Sequence, residues 1–166
     1  VKAVTEEDLL GVCGSRAWAR AVAARGPFAD GDALLAAAER AWDGLGRDDW
    51  LEAFAAHPRI GENKTAAGGE ASAWSRDEQA RAAEAGSATL ARLAEAQDRY
   101  ERRFGHGFLI CAAGRSAGEI LEVCTARLTN DPENELRVGT GEERKIGRLR
   151  LEKLLVEEGS PTRGGQ

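Results

Sequence analysis

Methionine is absent from this 166-residue chain, tyrosine occurs once, and aromatic residues together make up 5%. β-branched residues are scarce too, so little in the composition favours strands. Ala, Leu, Glu and Arg instead make helix the preferred state at almost every position. Positive charge is not in excess: the formal net charge of -5 argues against nucleic acid as the main partner, because phosphate binding needs a basic field. No run approaches the roughly 20 apolar residues of a membrane span, and no signal-peptide pattern follows Val1. Cysteine is sparse. Cys13, Cys111 and Cys124 are odd in number, widely spaced and lack a C-x-x-C pair, which disfavours both a disulfide framework and a structural zinc. They read as small, reduced core residues of a cytosolic protein, with a nucleophilic Cys111 served by a distant histidine as the alternative.

What is present is an ordinary globular balance, 42% hydrophobic and 31% charged, in a length that suits one domain with its own core. Thr5-Glu6-Glu7-Asp8 opens a first helix, whose stripe of Leu9, Leu10, Cys13, Ala17 and Val22 runs on to Gly26-Pro27. A second helix is expected from Asp32 to about Trp42 and a third from Asp48 to about Phe54. Residues 57–74, HPRIGENKTAAGGEASAW, carry no sustained period, and a connection of that length in a compact domain suggests function or disorder. Helix resumes at Ser75, breaks near Gly86-Ser87 and continues to Phe104. Phe108-Leu109-Ile110-Cys111-Ala112 is the one compact apolar run, and periodicity does not separate strand, extended chain and buried helix there. Ser116-x-x-Glu119 opens another helix, and Asp131-Pro132 caps and starts the last, with Leu136, Val138, Ile146, Leu149 and Leu155 as its apolar positions and Gly139 and Gly141 as weak points. The domain is placed at residues 1–156, with a disordered tail over 157–166.

Only two histidines exist. His57 stands where a helix ends and a proline forces the chain to extend; it can serve as a general acid or base, with Arg59 and Glu62 near enough to set its charge, or merely bond spare helix carbonyls. His106, between two glycines, suggests a tight backbone path. A metal site from both histidines and Glu62 has no recognised ligand spacing behind it. Ser75, Glu78 and Gln79 share one face of a helix's first turn, where spare N–H groups favour an anion and where Glu78 and Gln79 could bond an NH- and C=O-rich substrate. The competing reading is a capping box, a pattern repeated at Ser116-x-x-Glu119. Arg150, beside an apolar stripe, either grips a carboxylate in bidentate fashion or lies over the core edge with its head in water, and Arg115 invites the same two readings.

The ordered set FAAHPRIGE (54–62), SRDEQA (75–80), RFGHGFLICAAGRSAGEIL (103–121), ARLTNDPENEL (126–136) and KIGRLRL (145–151) resembles the family of 2-oxo-4-hydroxy-4-carboxy-5-ureidoimidazoline (OHCU) decarboxylases, over roughly residues 5 to 156. The pair HPRIGE and FLICAAGRS is its specific part. The resemblance implies an all-α, single-domain helical bundle, a homodimer, and no metal or organic cofactor. The implied reaction is decarboxylation of OHCU to (S)-allantoin in urate breakdown. By position, His57 resembles the family's catalytic acid/base, with Glu78 and Arg150 as its catalytic partners. Pro58, Ser75, Arg76, Asp77 and Gln79 match substrate-binding positions, as do Phe108, Leu109, Ile110, Cys111 and Ala112. Arg150 is preferred to Arg148 on the alignment of RLRL alone. The chain ends in RGGQ rather than the peroxisomal tripeptide of animal members, which implies a bacterial-type cytoplasm. Two rivals remain at this stage: a non-catalytic helical interaction domain, and a hydrolase or lyase acting on a related ureide.

Overall fold

The computed structural model describes residues 4–61 and 86–159, and among them the regular structure is helical throughout. Seven helices follow in order: α1 Glu6–Val12, α2 Arg16–Ala23, α3 Gly31–Asp43, α4 Arg47–Ala55, α5 Ser87–Phe104, α6 Ala117–Arg127 and α7 Pro132–Gly159. Their starts follow the capping chemistry of the sequence. The Thr5 hydroxyl accepts from the Asp8 N–H while Asp8 reaches back to the Thr5 N–H, and Ser15, Asp30 and Ser116 accept from the third residue of α2, α3 and α6 in the same way.

The expected first helix is two. The chain extends at Cys13 and Ser15 re-caps α2, while Gly14 lies so close to α4 that a Cβ there would come within 2.4 Å of the Ala56 Cβ. The apolar stripe survives the break because both helices face one cluster: Leu9, Val12 and Cys13 from one side, Trp18, Ala19 and Val22 from the other, packed with Leu34, Ala37, Ala38, Ala41 and Trp42 of α3 and with Leu151 and Leu154 of α7. A second cluster gathers Leu93, Ala96 and Tyr100 of α5 with Phe108, Ile110 and Ala112 and with Ile120 and Cys124 of α6. A third, smaller one joins Phe54 of α4 to Leu109 and to Leu136 and Ile146 of α7.

The long last helix therefore braces the whole molecule. Its inward stripe is Leu136, Glu143, Ile146, Arg150, Leu151 and Leu154, all buried, whereas Val138 and Leu149, expected on the apolar side, lie on the outer face at 39% exposure each. The glycines expected to weaken it do not interrupt it. At Gly139 the missing side chain has a use, since a Cβ there would meet the Phe54 ring at 3.1 Å, so glycine is what lets α4 pack against α7. The Trp42 indole N–H donates to the Thr140 carbonyl at 3.2 Å and ties α3 to the same stretch. Helix α7 runs to Gly159, three residues into the expected tail, and residues 160–166 lie outside the described residues. No helix among the described residues is long and apolar enough to cross a membrane.

Candidate functional site around His57

Helix α4 ends at Ala55, and the His57 N–H donates back to the Phe54 carbonyl at 3.1 Å, the last bond before proline stops the helix. The extended segment that follows is clamped to α5. Gln97, almost wholly buried, accepts from the Ile60 N–H and donates to the Ile60 carbonyl, both at 2.9 Å. Arg59 lays its guanidinium against Glu101, with Nε to Oε1 at 2.9 Å, and against Asp98 at 2.7 Å. Those carboxylates hold Arg59 charged, their hydrogen bonds pushing its pKa up. Arg59 thus pairs with α5, and Glu62 lies outside the described residues.

The His57 ring turns instead to α7. Its Nε2 sits 2.6 Å from Oε2 of Glu143, with His57 12% and Glu143 1% exposed. Burying a carboxylate is costly unless it is paired, and Glu143 meets the His57 ring and the Cys13 thiol, the thiol also feeling the charge of Arg150. Burial foremost, and then the Glu143 charge, push the Cys13 thiol well above its usual range, so Cys13 stays protonated and is no nucleophile. Arg150, two helical turns beyond Glu143, is 4% exposed and donates from Nη1 to the Val12 carbonyl at 3.1 Å, which fixes its head at the end of α1. Arg148, by contrast, lies on the outer face and pairs with Glu152 at 3.0 Å. A narrow cleft bordered by Glu143 runs along the seam of α3 and α7 between Cys13, Trp42, Gly147 and Leu151.

Residues 108–112 form an extended run without a strand partner among the described residues. Their side chains alternate: Phe108, Ile110 and Ala112 pack into the α5–α6 cluster, while Leu109 and Cys111 turn toward Phe54, Leu136 and Ile146. The run is held by a buried ion pair. Arg127 donates from Nη1 to the Leu109 carbonyl at 2.7 Å and from Nε to Glu135 at 2.7 Å, and Glu135 also accepts from the Tyr100 hydroxyl at 2.5 Å and from Asn130 at 3.0 Å. His106 stands in a half-buried aromatic setting, 5.5 Å from Phe54 and 5.7 Å from Tyr100 between ring centroids, its Nδ1 3.1 Å from the Gly107 carbonyl. The tight path beside it is real: Gly105 takes φ 77° as the end cap of α5.

Of the residues singled out from the sequence, His57 thus contacts Glu143 on the buried face of α7, and Arg150 lies further along the same helix, bonded to the Val12 carbonyl. Leu109 and Cys111 reach the same helix through Phe54, and Phe108, Ile110 and Ala112 pack away from it. Pro58 is partly exposed at the start of the clamped segment. Ser75, Arg76, Asp77, Glu78 and Gln79 lie outside the described residues. Sequence reasoning missed Glu143. Its signal was present, since positions 136, 139, 143, 146 and 150 fall on one helical face and place two charges, Glu143 and Arg150, in an otherwise apolar stripe. Among the described residues no three His, Cys, Asp or Glu side chains converge as a metal site requires.

Comparison with known proteins agrees on one family. The family model described as OHCU decarboxylase matches residues 2–152. The chain is 33% identical over 157 residues to the uric acid degradation bifunctional protein TTL of Arabidopsis thaliana, covering 93% of this chain and 48% of that one. It is 30% identical over 138 residues to the 2-oxo-4-hydroxy-4-carboxy-5-ureidoimidazoline decarboxylase of Halalkalicoccus jeotgali, covering 78% of this chain and 72% of that one. Among solved structures, OHCU decarboxylase crystallised in the presence of (S)-allantoin superimposes with a TM-score of 0.78 at 32% identity, covering 90% of this chain and 98% of that one. The chain spans about half the length of the Arabidopsis relative.

Proposed function

The chain belongs to the OHCU decarboxylase family, and from that premise we propose that it removes CO2 from 2-oxo-4-hydroxy-4-carboxy-5-ureidoimidazoline to give (S)-allantoin in urate breakdown, without a cofactor. The observation that carries the reading is the extent of the family match, which runs from residue 2 to residue 152 and so takes in His57, the 108–112 segment and Arg150 together. The related structure obtained with (S)-allantoin supports the same product here.

The chemistry asks little beyond the protein's own groups. When the bond to the carboxylate breaks, its electron pair moves toward the adjacent ring C=N, whose nitrogen takes up a proton. The resulting enol becomes the ring carbonyl as its hydroxyl proton leaves and a proton reaches the neighbouring ring carbon from one side. In this reading His57 handles that proton. Arg150 holds the departing carboxylate or the anionic oxygens, and Glu78 orients the substrate's hydroxyl and ureido protons. Pro58, Ser75, Arg76, Asp77, Gln79 and the chain from Phe108 to Ala112 bind the rest of the molecule and keep water out. Clamping residues 58–60 to α5 through Gln97 and Arg59 serves this role by holding the His57 backbone still. We further take the enzyme to work as a homodimer in a reducing, cytoplasmic setting, in keeping with its three free thiols. Sedimentation at micromolar concentration tests the dimer.

The reaction is tested by circular dichroism on OHCU generated freshly from urate. A rise of the (S)-allantoin signal well above the spontaneous rate is expected. No acceleration over racemic decay would withdraw the decarboxylase reading and bring the interaction-domain alternative forward.

A further inference from the structure

We propose that Glu143 is a positioning residue for His57: it selects the ring's tautomer and orientation, so that Nδ1 is the atom that exchanges a proton with the substrate. The proposal rests on the decarboxylase reading above and names the group that would make His57 competent for it.

The 2.6 Å contact joins His57 Nε2 to a carboxylate oxygen of Glu143. In the proposed pair the carboxylate accepts and Nε2 donates, which leaves the lone pair of the neutral ring on Nδ1. Both partners are anchored. The His57 backbone is tied to Phe54 on one side and, through Ile60, to Gln97 on the other, while Glu143 stands in the middle of an unbroken 28-residue helix. With both ends fixed, the ring cannot turn over without breaking a short, charge-assisted bond. When the ring takes a second proton, the carboxylate faces a full positive charge at the same contact and stabilises it.

Stability alone does not account for the arrangement. Glu143 is 1% exposed, and apart from the weak donor of the Cys13 thiol no group among the described residues offers its other oxygen, Oε1, a hydrogen bond. A buried acceptor left unsatisfied is a cost, and an apolar side chain of similar volume would fit the surrounding stripe of Leu136, Ile146 and Leu151 at least as well. A local rule broken at this place, against a histidine at the end of a clamped segment, is what a functional requirement leaves behind.

The test uses the full chain with 15N-labelled histidine, which gives two rings only, His57 and His106; a His106→Asn variant assigns them. In its neutral form the wild-type His57 ring is expected to carry its hydrogen on Nε2. Glu143→Gln keeps the volume but can donate as well as accept, and Glu143→Leu can do neither. Both should convert His57 to a mixture of tautomers. In the OHCU assay both should lower kcat by about 10²-fold, with KM within about twofold, as for a group acting through the general acid or base. An unchanged tautomer in both variants, or a Glu143→Gln enzyme with wild-type kcat, would overturn the proposal. The NMR measurement needs no substrate, so it decides the link between Glu143 and His57 even if the wild-type protein proves inactive on OHCU. Glu143→Gln, being isosteric, keeps the test open should Glu143→Leu fail to fold.

Discussion

At the scale of single residues, reactivity here is decided by burial and by what stands next to each group. His57 is only 12% exposed, and its ring is the one imidazole held by a carboxylate among the described residues. Replacing His57 by alanine should lower kcat at least about 100-fold, given the usual 10²–10⁴ contribution of a positioned acid or base; a near-normal rate of (S)-allantoin formation would remove His57 from the mechanism. The cysteines sort the same way. Cys13 and Cys124 are buried, and burial pushes the Cys124 thiol up to about 11 and that of Cys13 in the same direction. Cys111 is partly exposed. Iodoacetamide at neutral pH should therefore label Cys111 and spare the other two, as peptide mass mapping would show. The raised thiols also carry a stability signature. Folding favours their protonated form, so this contribution is complete below the ordinary thiol range of about 8.5. It is lost as the pH rises from there through about 11. The melting temperature should fall over that window, and fall less steeply in Cys124→Ala.

Between residue and molecule stand the elements, and two joints set where the site's pieces lie. The first is Gly14, in the break between α1 and α2, over which the end of α4 passes. A methyl group there has no space until α4 moves, so Gly14→Ala should cost about 1–3 kcal/mol by overpacking and displace Ala56, the residue before His57. Denaturant unfolding measures the first effect, and the His57 ring signals report the second. The other joint is the pair Arg127 and Glu135, each less than a tenth exposed, which ties α6, the first turn of α7, Tyr100 and the Leu109 carbonyl together. Removing Glu135 alone, as in Glu135→Leu, leaves a guanidinium buried without its countercharge and should cost about 3–5 kcal/mol. Replacing both residues with apolar ones of similar size should recover much of that loss. A double-mutant cycle by urea unfolding checks the difference.

For the molecule as a whole, one helix takes part in every cluster. Helix α7 contributes Leu151 and Leu154 to the N-terminal cluster and Leu136 and Ile146 to the Phe54 cluster, while its Glu135 bonds the Tyr100 hydroxyl of the α5–α6 cluster. The clusters should therefore unfold together. Trp18, Trp42 and Trp50 report from the N-terminal part, so in a chain whose fourth tryptophan, Trp74, is replaced by phenylalanine, fluorescence and the far-ultraviolet dichroism of all helices should trace one coincident transition. Leu151→Ala, at a position 2% exposed, should shift that transition by about 2–5 kcal/mol without splitting it. Two separate transitions would show that the clusters fold independently.

How much of this was legible beforehand follows from the range of each interaction. The all-helical class, the helix starts at Thr5, Ser116 and Pro132, and the family motifs were in the sequence because composition, capping and proline act within a few residues of where they are written. The break at Gly14 was hidden because the apolar stripe runs straight through it, and only the approach of Ala56 from α4 shows why the chain must turn there. Gly139 read as a weakness for the same reason: its use lies in the ring of Phe54, 85 residues earlier in the chain. His57 could be suspected from its place at a helix end, but its partner could not be named, since Glu143 lies 86 residues further on and meets it through packing alone. Sequence determined the elements and the chemical groups on offer. The tertiary structure decided which groups meet, because a contact between distant positions depends on how helices pack and not on the residues flanking either one.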